Sequence, residues 1–96
     1  MNMQEIMRQA RNMQNDMMKI KNEIDSTHFT SKNDLVSVEV NGKKEILKIE
    51  IDKNVLPDDF DVLGDMIMLA LNNAFKDVDK MTEKKMGKYS SIQGLF

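Results

Sequence analysis

Along the first helix-like stretch, the apolar positions Met3, Ile6, Ala10, Met13, Met17, Ile20 and Ile24 fall at steps of 3, 4, 3, 4, 3 and 4. This is the heptad a/d rhythm, which keeps one stripe of a helix turned toward a partner helix. The period then changes. Ser26, Thr27, Phe29 and Thr30 favour extended backbone, so "STHFTS" predicts a short strand and "SKND" a loop. In "LVSVEVNGKKEILKIEID", Val36, Val38 and Val40 alternate with polar residues, as do Leu47, Ile49 and Ile51, which predicts a β-hairpin. Helical rhythm returns after Pro57, with Asp58 and Asp59 as candidate N-caps. Leu63, Ile67, Ala70, Leu71, Ala74, Phe75 and Val78 then form a broad apolar face able to cover a sheet.

Hairpin register follows from which loop keeps both apolar sets on one face. A two-residue Asn41-Gly42 turn sets Val38 against Glu45, and a three-residue loop throws the two sets onto opposite faces. The expected loop is therefore the four-residue "NGKK", with Val38 opposite Leu47 and Val36 opposite Ile49. Lengths carry the argument to architecture. Met3 to Ile24 spans roughly 32 Å as a helix and Asp58 to Gly87 roughly 44 Å, whereas six-residue strands reach only about 20 Å. The helices must outrun the sheet, and open strand edges want pairing. The expected fold is α+β: a long N-terminal helix, a short antiparallel sheet and a long C-terminal helix, assembled as a homodimer with helical arms. One domain covers 1–96, with the helical arm at 1–26, antiparallel strands at 27–52, a helix at 57–88 and a flexible tail at 89–96.

The chain holds ten methionines, five of them in the first helical stretch after the initiator, and three uses compete for them. Thioethers hold Cu(I), but usually beside Cys or His, and this sequence has no Cys and a single His, His28. A membrane span fails because Arg8, Arg11, Asp16, Lys19 and Lys21 break every apolar run well short of the ~20 residues needed, and the same charges exclude a signal peptide. Gap-filling in a helix seam is the reading that remains. Zero Cys fits a reducing cytosol. Net charge is −2, but its distribution is uneven: residues 1–31 sum to 0, 32–65 to −4 and 66–96 to +2.

With these residues in view, the chain resembles the YbaB/EbfC family of bacterial nucleoid-associated proteins. The resemblance rests on the collinear order of a Met/Gln-rich N-terminal helix, "LVSVEVNG", "KIEID", "LPDDFDVLGDMIMLALNNAFKDV" and "EKKMGKY", and covers nearly the whole chain. "SKND" stands where the family usually carries a glycine-rich run before the "LV" strand. The resemblance implies a tweezer-shaped homodimer that binds double-stranded DNA with little sequence preference in the bacterial cytoplasm, at the nucleoid.

Non-specific DNA affinity comes mainly from phosphate contacts, so what counts is where cations gather. The candidate DNA-binding residues are Arg8, Arg11, Lys19 and Lys21 on the first helix and Lys76, Lys80, Lys84, Lys85 and Lys88 on the last. Taken singly, each reads as the solvated face of a helix paired with Asp16, Glu23, Asp77 or Glu83. The resemblance favours the DNA role for the group. Scattered aromatics argue against a stacking platform for single strands, and Gln9, Asn12, Gln14 and Asn15 are candidates for touching base edges. The rival reading is a dimeric adaptor whose heptad arms grip another protein. An enzyme is not expected: there is no nucleophile elbow, phosphate loop or metal-spaced ligand set. No cofactor, membrane or small-molecule substrate is expected either.

Overall fold

The computed structural model describes residues 2–89. Helix α1 (Met3–Ser26) leads into strands β1 (His28–Lys32), β2 (Val36–Asn41) and β3 (Ile46–Ile51), then a 3-10 turn (Pro57–Asp59), helix α2 (Phe60–Met86) and a second 3-10 turn (Gly87–Tyr89). The α+β fold expected from sequence is the one observed. The tail placed at 89–96 lies outside the described residues from position 90 onward, and Tyr89 itself is buried.

Local chemistry accounts for the ends of α1. The Asn2 side chain accepts a hydrogen bond from the Gln4 amide at 3.0 Å, capping the first turn. At the other end, Thr27 adopts extended backbone and its hydroxyl donates to the Glu23 carbonyl at 2.6 Å, while Ser26 donates to Asn22 at 3.0 Å. These hydroxyls satisfy carbonyls that the stopped helix leaves open. At the start of α2, Asp59 sits in the N-cap position, but its carboxylate reaches back to the Leu56 amide at 2.9 Å rather than into the helix.

The antiparallel sheet has the order β1-β2-β3. The four-residue hairpin loop is corrected by the structure. Val38 pairs with Ile49 and Val36 with Ile51, two residues further along β3 than expected. The loop has three residues: the Asn41 amide donates to the Glu45 carbonyl at 3.0 Å, the Lys44 amide donates to Asn41 at 2.9 Å, and Lys44 takes the left-handed conformation at φ 62°. A three-residue loop alone would misalign the faces, but Val40 pairs with Ile46 and Glu39 with Lys48, so Leu47 is an extra residue that restores the alignment. The bulge reconciles the loop with the hydrophobic pattern.

Packing centres on β2 and α2. Ile24, Val36, Val38, Val40, Ala70, Ala74 and Val78 form the buried cluster, with Leu63, Ile67, Leu71 and Phe75 packed around it. Val38, Val40 and Val78 are fully buried, and side chains of this size contribute about 1.5–3 kcal/mol each when removed from water. Ala70 and Ala74 leave room for α2 to lie close on β2. Asn33 ties the β1–β2 turn to the helix: its amide nitrogen donates to the Met66 carbonyl at 2.8 Å, and its oxygen accepts from the Leu35 and Val36 amides at 3.1 and 3.0 Å.

The molecule extends 70 × 19 × 16 Å because its helices outrun the sheet. The heptad stripe of α1 is covered only over its second half. Ile24 is buried and Met13, Met17 and Ile20 are half-buried, whereas Met3, Ile6 and Ala10 are exposed. The first half of α1 is thus a projecting arm.

Candidate nucleic-acid interface

On α1, helical geometry groups Gln4, Arg8, Arg11, Asn15 and Lys19, at steps of 4, 3, 4 and 4, on the face opposite the apolar stripe. All five are exposed. Arg8 lies 3.8 Å from Glu5, both on the surface, a pairing too solvated to hold the guanidinium. Lys21 stands apart from this row and donates to Asp25 at 2.7 Å.

On α2, Lys76, Lys80 and Lys84 follow one another at steps of four, forming an exposed ridge that Lys88 extends into the following turn. The Lys88 ammonium lies 5.0 Å from the Tyr89 ring centroid, which anchors its stem beside a buried aromatic. Lys85 is turned the other way. It donates to Glu23 across the α1–α2 contact, as both a hydrogen bond and an ion pair. Among the described residues, no ion pair involves Arg11, Lys19, Lys76, Lys80 or Lys84. The structure therefore sorts the nine candidates into two exposed rows, one on each helix, and two cations engaged in pairs, Lys21 and Lys85.

The acids at the start of α2 lie far from the C-terminal end of the α2 row, whereas Asp77 and Glu83 are exposed among its lysines. Asp58, Asp61 and Asp65 are exposed around the start of α2, and the 23 residues from Asp61 to Lys84 correspond to about 35 Å of helix. That distance is several times the ~8 Å over which charge acts at physiological salt. The outer sheet face is occupied by pairs: His28 with Glu39 at 2.8 Å and Lys48 with Glu50 at 2.7 Å. The hydrogen bond and charge of Lys48 hold the Glu50 carboxyl below its usual range, and Glu50 raises Lys48 in return. At the hairpin tip, Lys44 reaches Asp79 on α2 at 2.9 Å, a contact over 35 positions that sequence spacing does not signal.

A second exposed feature is apolar. Ile46, Leu47, Ile49 and Ile51 of β3, together with Leu56, Phe60, Val62, Met68 and Leu69, lie on the surface of the single chain. β3 is also an edge strand with one side unpaired. Among the described residues, no helix is long and apolar enough to cross a membrane, and no three His, Asp or Glu side chains are grouped to hold a metal ion.

The family model of the YbaB/EbfC DNA-binding family matches residues 1–94. A nucleoid-associated protein of Ligilactobacillus salivarius is similar at 38% identity over 99 residues, covering 99% of this chain and 95% of its own length. A nucleoid-associated protein of Streptococcus thermophilus is 42% identical over 93 residues, with 94% of each chain covered. Among solved structures, an uncharacterized protein of Helicobacter pylori superposes with a TM-score of 0.69 at 24% identity, over 100% of this chain and 99% of that one, a likeness of fold.

Proposed function

The chain belongs to the YbaB/EbfC DNA-binding family, and from that premise we propose that it acts at the nucleoid, in the cytoplasm, as a homodimer that holds double-stranded DNA mainly through phosphates and with little sequence preference. The observation that carries this reading is the pair of exposed cation rows, Arg8, Arg11 and Lys19 on α1 and Lys76, Lys80, Lys84 and Lys88 on α2. Lysine and arginine on an open helix face neutralise phosphates without reading bases. A dimer doubles both rows and also doubles the net charge of −2 per chain, so binding rests on the local gathering of cations and not on overall charge. Dimerisation is supported by the exposed apolar side chains Ile46, Leu47, Ile49 and Ile51 on the edge strand β3, since exposed apolar patches mark interfaces. The nucleoid location is supported by the name that the relatives carry.

The test is affinity for several unrelated duplexes across a salt series. Log affinity should fall linearly with log salt at roughly −0.9 per phosphate contact, so about 4 to 6 contacts give a slope of about −4 to −5. A flat response, or a strong preference for one sequence that survives high salt, would refute phosphate-dominated binding. Absence of binding at low salt would favour the adaptor reading.

A further inference from the structure

We propose that Met17 and Met86 form an oxidation site that releases α1 from α2. The two residues come from different helices and, with Met18, Gln14 and Lys21, line one solvent-open cavity of about 190 Å³. Both are half-buried, and Met86 packs against the hydrophobic core. Their position matters. Moving along α1 from Ile24 toward the N-terminus, Ile20, Met17 and Met13 are the last residues with partial burial, and the arm beyond them is exposed. The cavity thus lies where the helix pair ends and the free arm begins.

A cavity of this size admits hydrogen peroxide, whose volume is close to that of the ~30 Å³ occupied by a water molecule. The chemistry is an oxygen transfer. A sulfur lone pair attacks one peroxide oxygen and the O–O bond breaks. The sulfur is oxidised by two electrons to the sulfoxide, and the second oxygen leaves as water after taking up the proton. The product is polar and chiral where a flexible apolar side chain had been, which disrupts methionine-rich contacts. A sulfoxide on Met17 or Met86 brings a strong dipole into the α1–α2 contact, which the pair of Lys85 with Glu23 also bridges. Loss of the contact frees α1 back toward Ile20 and lengthens the arm. Because sulfoxides are reduced enzymatically, the change is reversible. Exposed Met3, Met7, Met18 and Met68 also oxidise; Met3, Met7 and Met68 lie outside this cavity, and Met18, on its rim, is retained in both proteins of the test below.

The experiment treats wild type and the Met17→Leu/Met86→Leu double variant with the same peroxide dose at one protein concentration, followed by peptide mass mapping and thermal melting. Leucine is a volume-conserving replacement that cannot be oxidised. Oxidation of the other methionines is common to both proteins and cancels. Wild type should gain one oxygen at each of Met17 and Met86 and lose about 5 °C in Tm relative to the treated variant, with recovery after methionine sulfoxide reductase. Unmodified Met17 and Met86 when Met3, Met7 and Met68 are fully converted would overturn the proposal, as would an equal Tm loss in the variant. Should the variant fold poorly, hydrogen exchange of the wild type decides. After oxidation, amides of 13–19 and 82–86 should exchange about tenfold faster while those of 36–40 hold, because local opening is read segment by segment. Unchanged exchange in 13–19 and 82–86 would overturn it.

Discussion

Gly42, at the tip of the hairpin, sits so close beneath α1 that a Cβ built on it would lie 1.8 Å from the carbonyl oxygen of Ile24. Ile24 is the buried end of the heptad stripe, so this backbone-to-backbone approach fixes where the helix leaves the sheet. The Gly42→Ala protein is expected to lose roughly 2–4 kcal/mol, at the high end for a single substitution, because neither backbone can yield cheaply. Urea unfolding measures it. A loss within about 0.5 kcal/mol, the range of ordinary surface changes, would show that α1 can shift without cost.

Lys84 and Lys85 are neighbours in sequence that point about 100° apart around α2, Lys85 to Glu23 and Lys84 to solvent, which separates two roles. Lys84→Gln should weaken DNA binding and reduce the salt slope by roughly 0.9. Lys85→Gln should leave the slope unchanged and cost at most about 1 kcal/mol, as befits a partly solvated ion pair. Equal effects of the two substitutions on DNA affinity would contradict this assignment.

Self-association can be tested apart from folding. Ile49 is 42% exposed in the single chain and Val38 is 1% exposed. Ile49→Lys is expected to give a folded monomer in sedimentation, since its ammonium can reach water. Val38→Lys is expected to unfold the chain, because the charge has no partner in the core. A dimer that persists with Ile49→Lys would place the interface elsewhere.

Asn33 uses both ends of its amide, donating to Met66 and accepting from Leu35 and Val36. Asn33→Ala leaves these part-buried backbone groups unmatched and should cost about 1–3 kcal/mol. Asn33→Asp keeps the acceptors but loses the donor to Met66, so it should fall between wild type and alanine at pH 7. Denaturant melts of the three proteins rank them.

The Glu50 carboxyl titrates below its usual range because Lys48 bonds to its charged form. A depressed folded-state value means that the pair's contribution is present at neutral pH and is lost as pH falls through the folded-state value. Lys48→Met should raise the Glu50 midpoint toward the ordinary carboxylate value in an NMR titration. Both side chains are largely exposed, so the melting temperature at pH 7 should hardly move. An unmoved midpoint would show that the pair does not persist in solution.

Long periodic elements were legible from sequence, and contacts across the chain were not. The heptad steps of α1 and the alternating valines of β2 each report one face of one element, a local property. The hairpin register escaped because its cause is a left-handed Lys44, an unfavourable choice for a non-glycine residue. It is made tolerable by Asn41, whose side-chain oxygen accepts from both the Lys43 and Glu45 amides at 2.9 and 3.0 Å. Spacing placed the candidate cations on their helices, and helical steps alone would have grouped Lys76, Lys80 and Lys84. It could not single out Lys85, because its partner Glu23 is 62 positions away.

The extra residue Leu47 bears on more than register. A sheet with two open edges is a template for endless addition of further chains, the route by which ordered fibres grow. Here neither edge is a clean template. β3 carries a bulge, which bends the strand and interrupts the ladder beside Leu47, and β1 is short and bears the exposed side chains of His28 and Lys32. In the proposed dimer, docking through the apolar side of β3 would then stop at a closed, self-complementary pair instead of running on, so the same kink that aligns the hairpin would guard a sticky surface against polymerisation.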